Sequence, residues 1–192
     1  MADKKRIKNC IQYKKLDSTN FNEHSLDLFV RYQEVHECWR KVEGEWKLLP
    51  IEFVENWSVK ECREIAADVA AHMEKDQTAF GAFDGDRIVG FITISHNHFG
   101  QTANYVELVC FQVTKEYRKQ GIGRTLFLMG CEEAKRLGAD KLYISAHSSK
   151  ESQAAYKALG CVYAKEINQQ LAEEEPCDVQ LEKALVRKKT EM

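Results

Sequence analysis

Between an apolar run that ends at Val113 and an amphipathic stretch that begins near Gly123 lies Thr114-Lys-Glu-Tyr-Arg118-Lys119-Gln120-Gly121-Ile122-Gly123-Arg124. The positive charge of the chain concentrates here, at Lys115, Arg118, Lys119 and Arg124. A glycine-rich loop that opens a helix presents free backbone N–H groups at the positive end of the helix macrodipole. Such a loop suits a phosphate, and two in a row where no Cβ obstructs the approach. Two familiar phosphate loops do not fit. Gly121-Ile-Gly123-Arg-Thr-Leu126 lacks the third glycine of the dinucleotide fingerprint, and no G-x-x-x-x-G-K-[S/T] occurs. A second chemical feature is Glu107 inside Val106-Glu-Leu-Val-Cys-Phe111. A carboxylate there is expensive to bury without a partner, and desolvation would raise its pKa. A third is Tyr156, within Ser148-Ser149-Lys-Glu-Ser-Gln-Ala-Ala-Tyr156-Lys-Ala-Leu-Gly160-Cys161.

Arg118-x-x-Gly121-x-Gly123, set just beyond a strand and followed by the Tyr156 segment, resembles the coenzyme A loop of the GNAT superfamily of N-acetyltransferases. The resemblance is clearest from about 78 to 165. It implies a donor, acetyl-CoA, and an acceptor amine. Backbone groups of Phe111, Gln112 and Val113 would pair with the pantetheine arm. The N–H groups of Arg118, Lys119, Gln120, Gly121, Ile122, Gly123 and Arg124 would take the pyrophosphate. In the family the long strand is bulged and splays from its parallel neighbour, which exposes the N–H near Val113 to the thioester oxygen. Tyr156 falls on the tyrosine that protonates the leaving thiolate. Ser149 stands where the family has an asparagine that contacts the pantetheine arm, and Cys161 replaces a phenylalanine. Glu107, six residues before Val113, matches the base of the histone-acetyltransferase branch. An even offset puts both side chains on one sheet face unless a bulge intervenes. His147, His96 and His98 are alternatives for the base, and Trp39, Trp46 and Trp57 are candidates for an acceptor wall or for core packing.

The elements that must position these groups can be read coarsely. Ile7 to Tyr13 reads as a first strand, and Asn22 or Ser25 as the cap of a helix carrying Leu26, Phe29, Val30 and Val35. Trp39 to Trp57 reads as irregular. Ser58 with Glu61 forms a capping box for a helix through about Met73. Thr78–Phe83 and Ile88–Ser95 form a hairpin, followed by a long strand 104–114. A helix from Gly123 to Leu137, a strand 141–146, a helix 150–159 and closing strands 161–165 and 178–184 complete the reading. Glu173 to Pro176 reads as a connecting loop and Val186 to Met192 as a solvated tail. The strand–helix–strand unit 104–146 should be parallel and right-handed. The expected fold is α/β: a central twisted mixed sheet of six to seven strands flanked by helices on both faces, in one domain over 1–192.

Composition narrows the partners. With 44% hydrophobic residues, two prolines and ten glycines, the 192-residue chain can bury a sizeable core. A net charge of −2 provides no overall basic field for nucleic acid. The seven cysteines show no C-x-x-C spacing, so neither a metal site nor a disulfide framework is expected, and the reading is of reduced thiols in a cytoplasmic protein. No stretch approaches the roughly 18 apolar residues needed to span a membrane. The expected function is acetyl transfer to a primary amine by direct attack on the thioester. A non-catalytic acyl-CoA sensor, another acyl donor and a hydroxyl acceptor are the alternatives. The acceptor itself (small amine, antibiotic, polyamine, amino acid or protein) stays open, as does the homodimerisation common in the family; the acidic run 173–175 leans towards a cation.

Overall fold

The computed structural model describes residues 10–186. Among these residues nine strands and four α-helices run in the order β1 (Gln12–Lys15), β2 (Tyr32–Val42), β3 (Glu45–Asn56), α1 (Val59–His72), β4 (Gln77–Asp84), β5 (Arg87–Ser95), β6 (Tyr105–Val113), α2 (Ile122–Arg136), β7 (Lys141–Ala146), α3 (Lys150–Ala158), β8 (Val162–Tyr163), α4 (Gln169–Glu174) and β9 (Val179–Ala184). Seven strands form one sheet in the order β1-β4-β5-β6-β7-β9-β8, and β2 with β3 forms a separate two-stranded ribbon. All pairings in the large sheet are antiparallel except β6 with β7. Among the described residues no helix is long and apolar enough to cross a membrane.

The sheet is covered on both faces. On one, α2 lays Leu126, Phe127 and Ala134 against Ile92, Ile94, Val106, Leu108, Leu142 and Ile144. On the other, Cys62, Ala66 and Val69 of α1 join Phe21, Leu26, Phe29 and Phe91. Two details of β6 matter most. Cys110 pairs with Thr93 and Leu108 with Ile94, so Val109 is an inserted residue, a β-bulge. The parallel pairing of β6 with β7 stops at Glu107↔Tyr143, while β7 continues to Ala146 against β9. Beyond Glu107 the two central strands therefore part, and the sheet is split between them.

Several sequence expectations change. The helix placed at Asn22 or Ser25 is a series of turns, closed by Ser25 Oγ accepting from the Asn22 N–H at 2.9 Å and Asn22 Oδ1 accepting from the His24 N–H at 2.9 Å. Val35 belongs instead to β2. The segment read as irregular is the β2–β3 ribbon. Its turn is Glu43-Gly44, with φ of 52° and 86°, the left-handed pair that a two-residue hairpin of this twist requires. Pro50 sits beside the ribbon's register shift, where a missing N–H interrupts no regular ladder. Part of the acidic loop is α4, capped by Asn168 Oδ1 accepting from the Leu171 N–H at 3.3 Å. The first strand begins later than expected, at Gln12; residues 1–9 and 187–192, with the rest of that first strand and most of the tail, lie outside the described residues.

Candidate active site

The glycine loop leaves β6 through one 3₁₀ turn, Lys115–Tyr117, and enters α2 at Gly121. Gly121 has φ +86°, and Lys119 is also left-handed at φ 59°. From Lys119 to Arg124 no backbone N–H meets an acceptor among the described residues. Six consecutive donors at a helix start make an anion cradle. Arg118 is not part of it: its own N–H reaches Lys115 O at 3.4 Å. Its guanidinium turns inward, donating from Nε to Val113 O at 2.9 Å and from Nη1 to Tyr32 O at 2.7 Å, so its charge braces the loop. Lys115 lies over the Tyr32 ring at 3.8 Å, which leaves Lys119 and Arg124 exposed beside the cradle. Ile122 is buried in the core and contributes only its N–H. A Cβ on Gly123 would stand 3.3 Å from the Phe111 ring, so the helix start is pressed onto β6.

The split strand supplies further backbone groups. Thr114 N–H bonds Val89 O at 3.0 Å, and ladder alternation then turns the N–H and C=O of Gln112 towards β5 and those of Phe111 and Val113 towards the split. Phe111 and Val113 thus open their backbones to the gap, and Gln112 does not. Val113 C=O is taken by Arg118, which leaves the Val113 N–H free.

Tyr156 of α3 packs on Phe111, ring centroids 6.3 Å apart, at the same gap. Burial is the main cause that raises its pKa far above the phenol range, with Cys161, Cys110 and Asp178 adding to it, so the hydroxyl holds its proton. Cys110 and Cys161 are each pushed up to about 12 by burial, so both are thiols rather than thiolates.

Glu107 stands where the strands part. Its carboxylate has no hydrogen bond or ion pair among the described residues, and burial, aided by Glu174, raises its pKa to about 7. The bulge at Val109 decides its direction. Val106 and Leu108 face α2, and so do Phe111 and Val113, because one inserted residue inverts the alternation. Glu107 and the Val113 side chain therefore face opposite sides, contrary to the parity of an unbroken strand. Glu107 shares its face with Tyr143 and Ser145 of β7 and with Gln180 and Asp178 at β9.

The β2–β3 ribbon closes this second side. Trp39 N–H donates to Ser148 O at 2.8 Å, Arg40 Nη1 to Ser148 Oγ at 2.5 Å, and Trp46 stacks on Tyr163 at 5.8 Å. Ser149 is fully buried beneath it, its hydroxyl accepting from Gln33 Nε2 at 2.9 Å and capping α3, so it does not reach the gap. His147 Nε2 lies 3.3 Å from Glu55 Oε1, and its Nδ1 accepts from the Ser149 N–H at 3.3 Å. Burial is the first cause that lowers its pKa, with Glu55 opposing it, and both ring nitrogens are engaged. His96 bonds Thr78 Oγ1 at 2.9 Å and His98 bonds Asn104 Oδ1 at 2.8 Å, each outside the gap. The tryptophans pack: Trp39 and Trp46 against the larger core cluster, Trp57 against Arg31.

The residues that sequence reasoning did not single out are Glu55, Ser145, Asp178 and Gln180. No local pattern marks them, because three elements far apart in the chain bring them together.

A split central strand pair, a bulge, and an anion cradle at the following helix define an acyl-CoA N-acyltransferase fold. The chain belongs to the acetyltransferase (GNAT) family, whose signature matches residues 37–161. It is an N-acetyltransferase dependent on acetyl-CoA. Similar folds among solved structures include nourseothricin acetyltransferase, 14% identical with a TM-score of 0.67 over 92% of this chain and 99% of that one. The PaiA N-acetyltransferase from Thermoplasma acidophilum in complex with coenzyme A is 19% identical, TM-score 0.57, over 91% and 99%. The ribosomal-protein-S18-alanine N-acetyltransferase from Escherichia coli is 14% identical, TM-score 0.55, over 95% and 99%. None of the curated proteins matches the chain by sequence.

Proposed function

We propose that this chain acetylates a primary amine by its direct attack on the acetyl-CoA thioester, with Glu107 as the base and Tyr156 as the acid. The observation that carries the reading is that an unpaired carboxylate and a proton-holding phenol flank the same gap, next to the anion cradle. The pyrophosphate lies on the N–H groups of 119–124, and the pantetheine arm follows Phe111 and Val113 like an added strand.

An alkylammonium with a pKa near 10.4 costs about 4.6 kcal/mol to deprotonate at pH 7. Glu107, poised at about 7, is half ionised there and accepts that proton when ionised. The amine nitrogen bonds the thioester carbon, and the developing oxyanion meets the Val113 N–H, a donor worth around 3 kcal/mol. The carbon–sulfur bond then breaks, Tyr156 gives its proton to the thiolate, and the nitrogen sheds its second proton to solvent, from which Tyr156 is restored. No covalent enzyme intermediate is needed, in keeping with two protonated thiols.

The test is release of free CoA thiol on incubation with acetyl-CoA and a panel of primary amines. Turnover with amines and none with the matching alcohols supports the reading. Acetyl-CoA binding without turnover on any amine overturns it in favour of a sensor.

A further inference from the structure

The face that Glu107 shares with β7 and β9 is short of hydrogen-bond donors. Gln180 is 9% exposed, and its Oε1 is buried with no partner. Its amide orientation is set by its neighbours. Gln180 Nε2 donates to Ser145 Oγ at 2.9 Å, and the Ser145 hydroxyl in turn faces Asp178 and lowers its pKa. The Ser145 proton is thus spoken for by Asp178, which leaves Gln180 Oε1 as an acceptor with nothing to accept. A buried acceptor left in that state is destabilising, because it has given up water and gained no donor.

Asp178 itself is half-buried, and burial raises its pKa to about 6, with Glu175 and Glu55 next in effect. The cations nearby are committed elsewhere. Arg40 Nη1 is bound to Trp39 O and Ser148 Oγ, and Arg31 Nη2 to Glu55, while Arg31 Nε and Nη1 are buried without a partner and make no hydrogen bond to Asp178 or Gln180. Glu107 faces Glu174 in the same way. Neither acidic position on this face forms an ion pair, although Arg40 acts on Asp178 from a distance, and a buried amide oxygen beside Asp178 lacks a donor.

These positions are separate. Glu107 pairs with Tyr143 and Gln180 with Ser145, so Glu107 and Gln180 stand two strand intervals and two residues apart. That is roughly 12 Å between Cα atoms. One ammonium does not meet both.

We propose that the acceptor carries a second cationic nitrogen, remote from the amine that is acetylated, and that Asp178 with Gln180 holds it. The acceptor class is then a di- or polyamine-like cation, with the reacting nitrogen at Glu107 and the distal one donating to Gln180 Oε1 and pairing with Asp178. This rests on the proposed amine acetylation and adds the identity of the far subsite.

The experiment compares 1,8-diaminooctane with 8-aminooctan-1-ol at saturating acetyl-CoA. The two have the same length and reactive amine and differ in the distal charge. The expected ratio of kcat/KM, diamine over amino alcohol, is at least about tenfold after correction for the diamine's two equivalent ends. In Asp178→Asn the ratio falls towards one. In Gln180→Glu, which adds a carboxylate at the same subsite, it rises, a direction that misfolding does not produce. Equal use of the two acceptors by the wild type overturns the inference while leaving amine acetylation standing. So does an unchanged ratio in both variants. No turnover of the diamine while another amine in the panel is acetylated also overturns the inference, and no turnover of any amine removes the proposed function beneath it.

Discussion

The donor side and the acceptor side of the gap are built on different principles. The donor side is backbone: six N–H groups in one loop, two more strand residues that turn backbone N–H groups to the gap, and a helix start held onto Phe111 by the lack of a Cβ at Gly123. It comes from the continuous stretch 105–124. The proposed acceptor side is made of side chains from β3, β6, β7, β9 and the α4 loop, each supplying one or two groups. A backbone site recognises what is constant in the donor, its phosphates and amides. A side-chain site can change with each substitution, so specificity belongs there. The two should respond separately to mutation.

The largest effect is expected at the loop. Gly121→Val places a β-branched residue at φ +86°, and Gly123→Val drives methyls into Phe111, which stands 3.3 Å from even a bare Cβ. The double variant should weaken acetyl-CoA binding by about a hundredfold or more, read by calorimetry with circular dichroism as the fold control. Wild-type-like binding would mean that the cradle lies elsewhere.

Tyr156→Phe comes next. It should lower kcat by about 10²–10³-fold and leave the acetyl-CoA Kd within about threefold if, as proposed, the phenol acts on the leaving thiolate and not on the ground state. A parallel fall in kcat and in binding would make Tyr156 a packing residue.

Glu107 sharpens the contrast through pH. Wild-type kcat/KM should rise as pH passes about 7 and carry no Tyr156 limb below pH 10, since the phenol titrates higher still. Glu107→Gln should lose that acidic limb and fall about a hundredfold at pH 8. Stability has the opposite sign. The folded pKa is raised above the model carboxylate value of 4.5, so the native state binds the extra proton, and stability is lost as pH rises from about 4.5 through 7. Above that window the cost is about 3 kcal/mol, which Glu107→Gln should remove. Urea melts at pH 5 and pH 8 read it: a more stable variant at pH 8 alone is the expected result, and equal shifts at both would deny the buried charge.

The smallest effect tests the ribbon. Trp46→Ala removes the stack on Tyr163, an aromatic contact worth about 1 kcal/mol beyond its area. It should raise the acceptor KM several-fold by loosening the β2–β3 cover, with the acetyl-CoA Kd unmoved. A change in the donor constant instead would join the two sides.

The sheet strands, the Ser58–Glu61 capping box, the glycine loop and the Tyr156 helix were all legible, because each is specified by neighbours in sequence: alternation, a cap three residues from its partner, glycines at a helix start. The β2–β3 ribbon was not. Its alternation is broken by the register shift between Val35 and Glu37, and its turn, Glu43-Gly44, lacks the usual asparagine or aspartate. The spacing of Leu26, Phe29 and Val30 imitates a helix, yet side-chain bonds at Asn22 and Ser25 close turns in its place. In the site, Arg118 was identified with its loop but not with its inward guanidinium, and Ser149 with its helix but not with its burial under the ribbon.

By itself the sequence determined the donor: local runs of residues place backbone N–H groups, and backbone geometry follows from nearest neighbours. Only the tertiary structure decided the acceptor side. The bulge at Val109 turns Glu107 away from the Val113 side chain, and pairing across β6, β7 and β9 sets it in one row with Ser145, Gln180 and Asp178. Register between distant strands is a long-range property, and a single inserted residue reverses it.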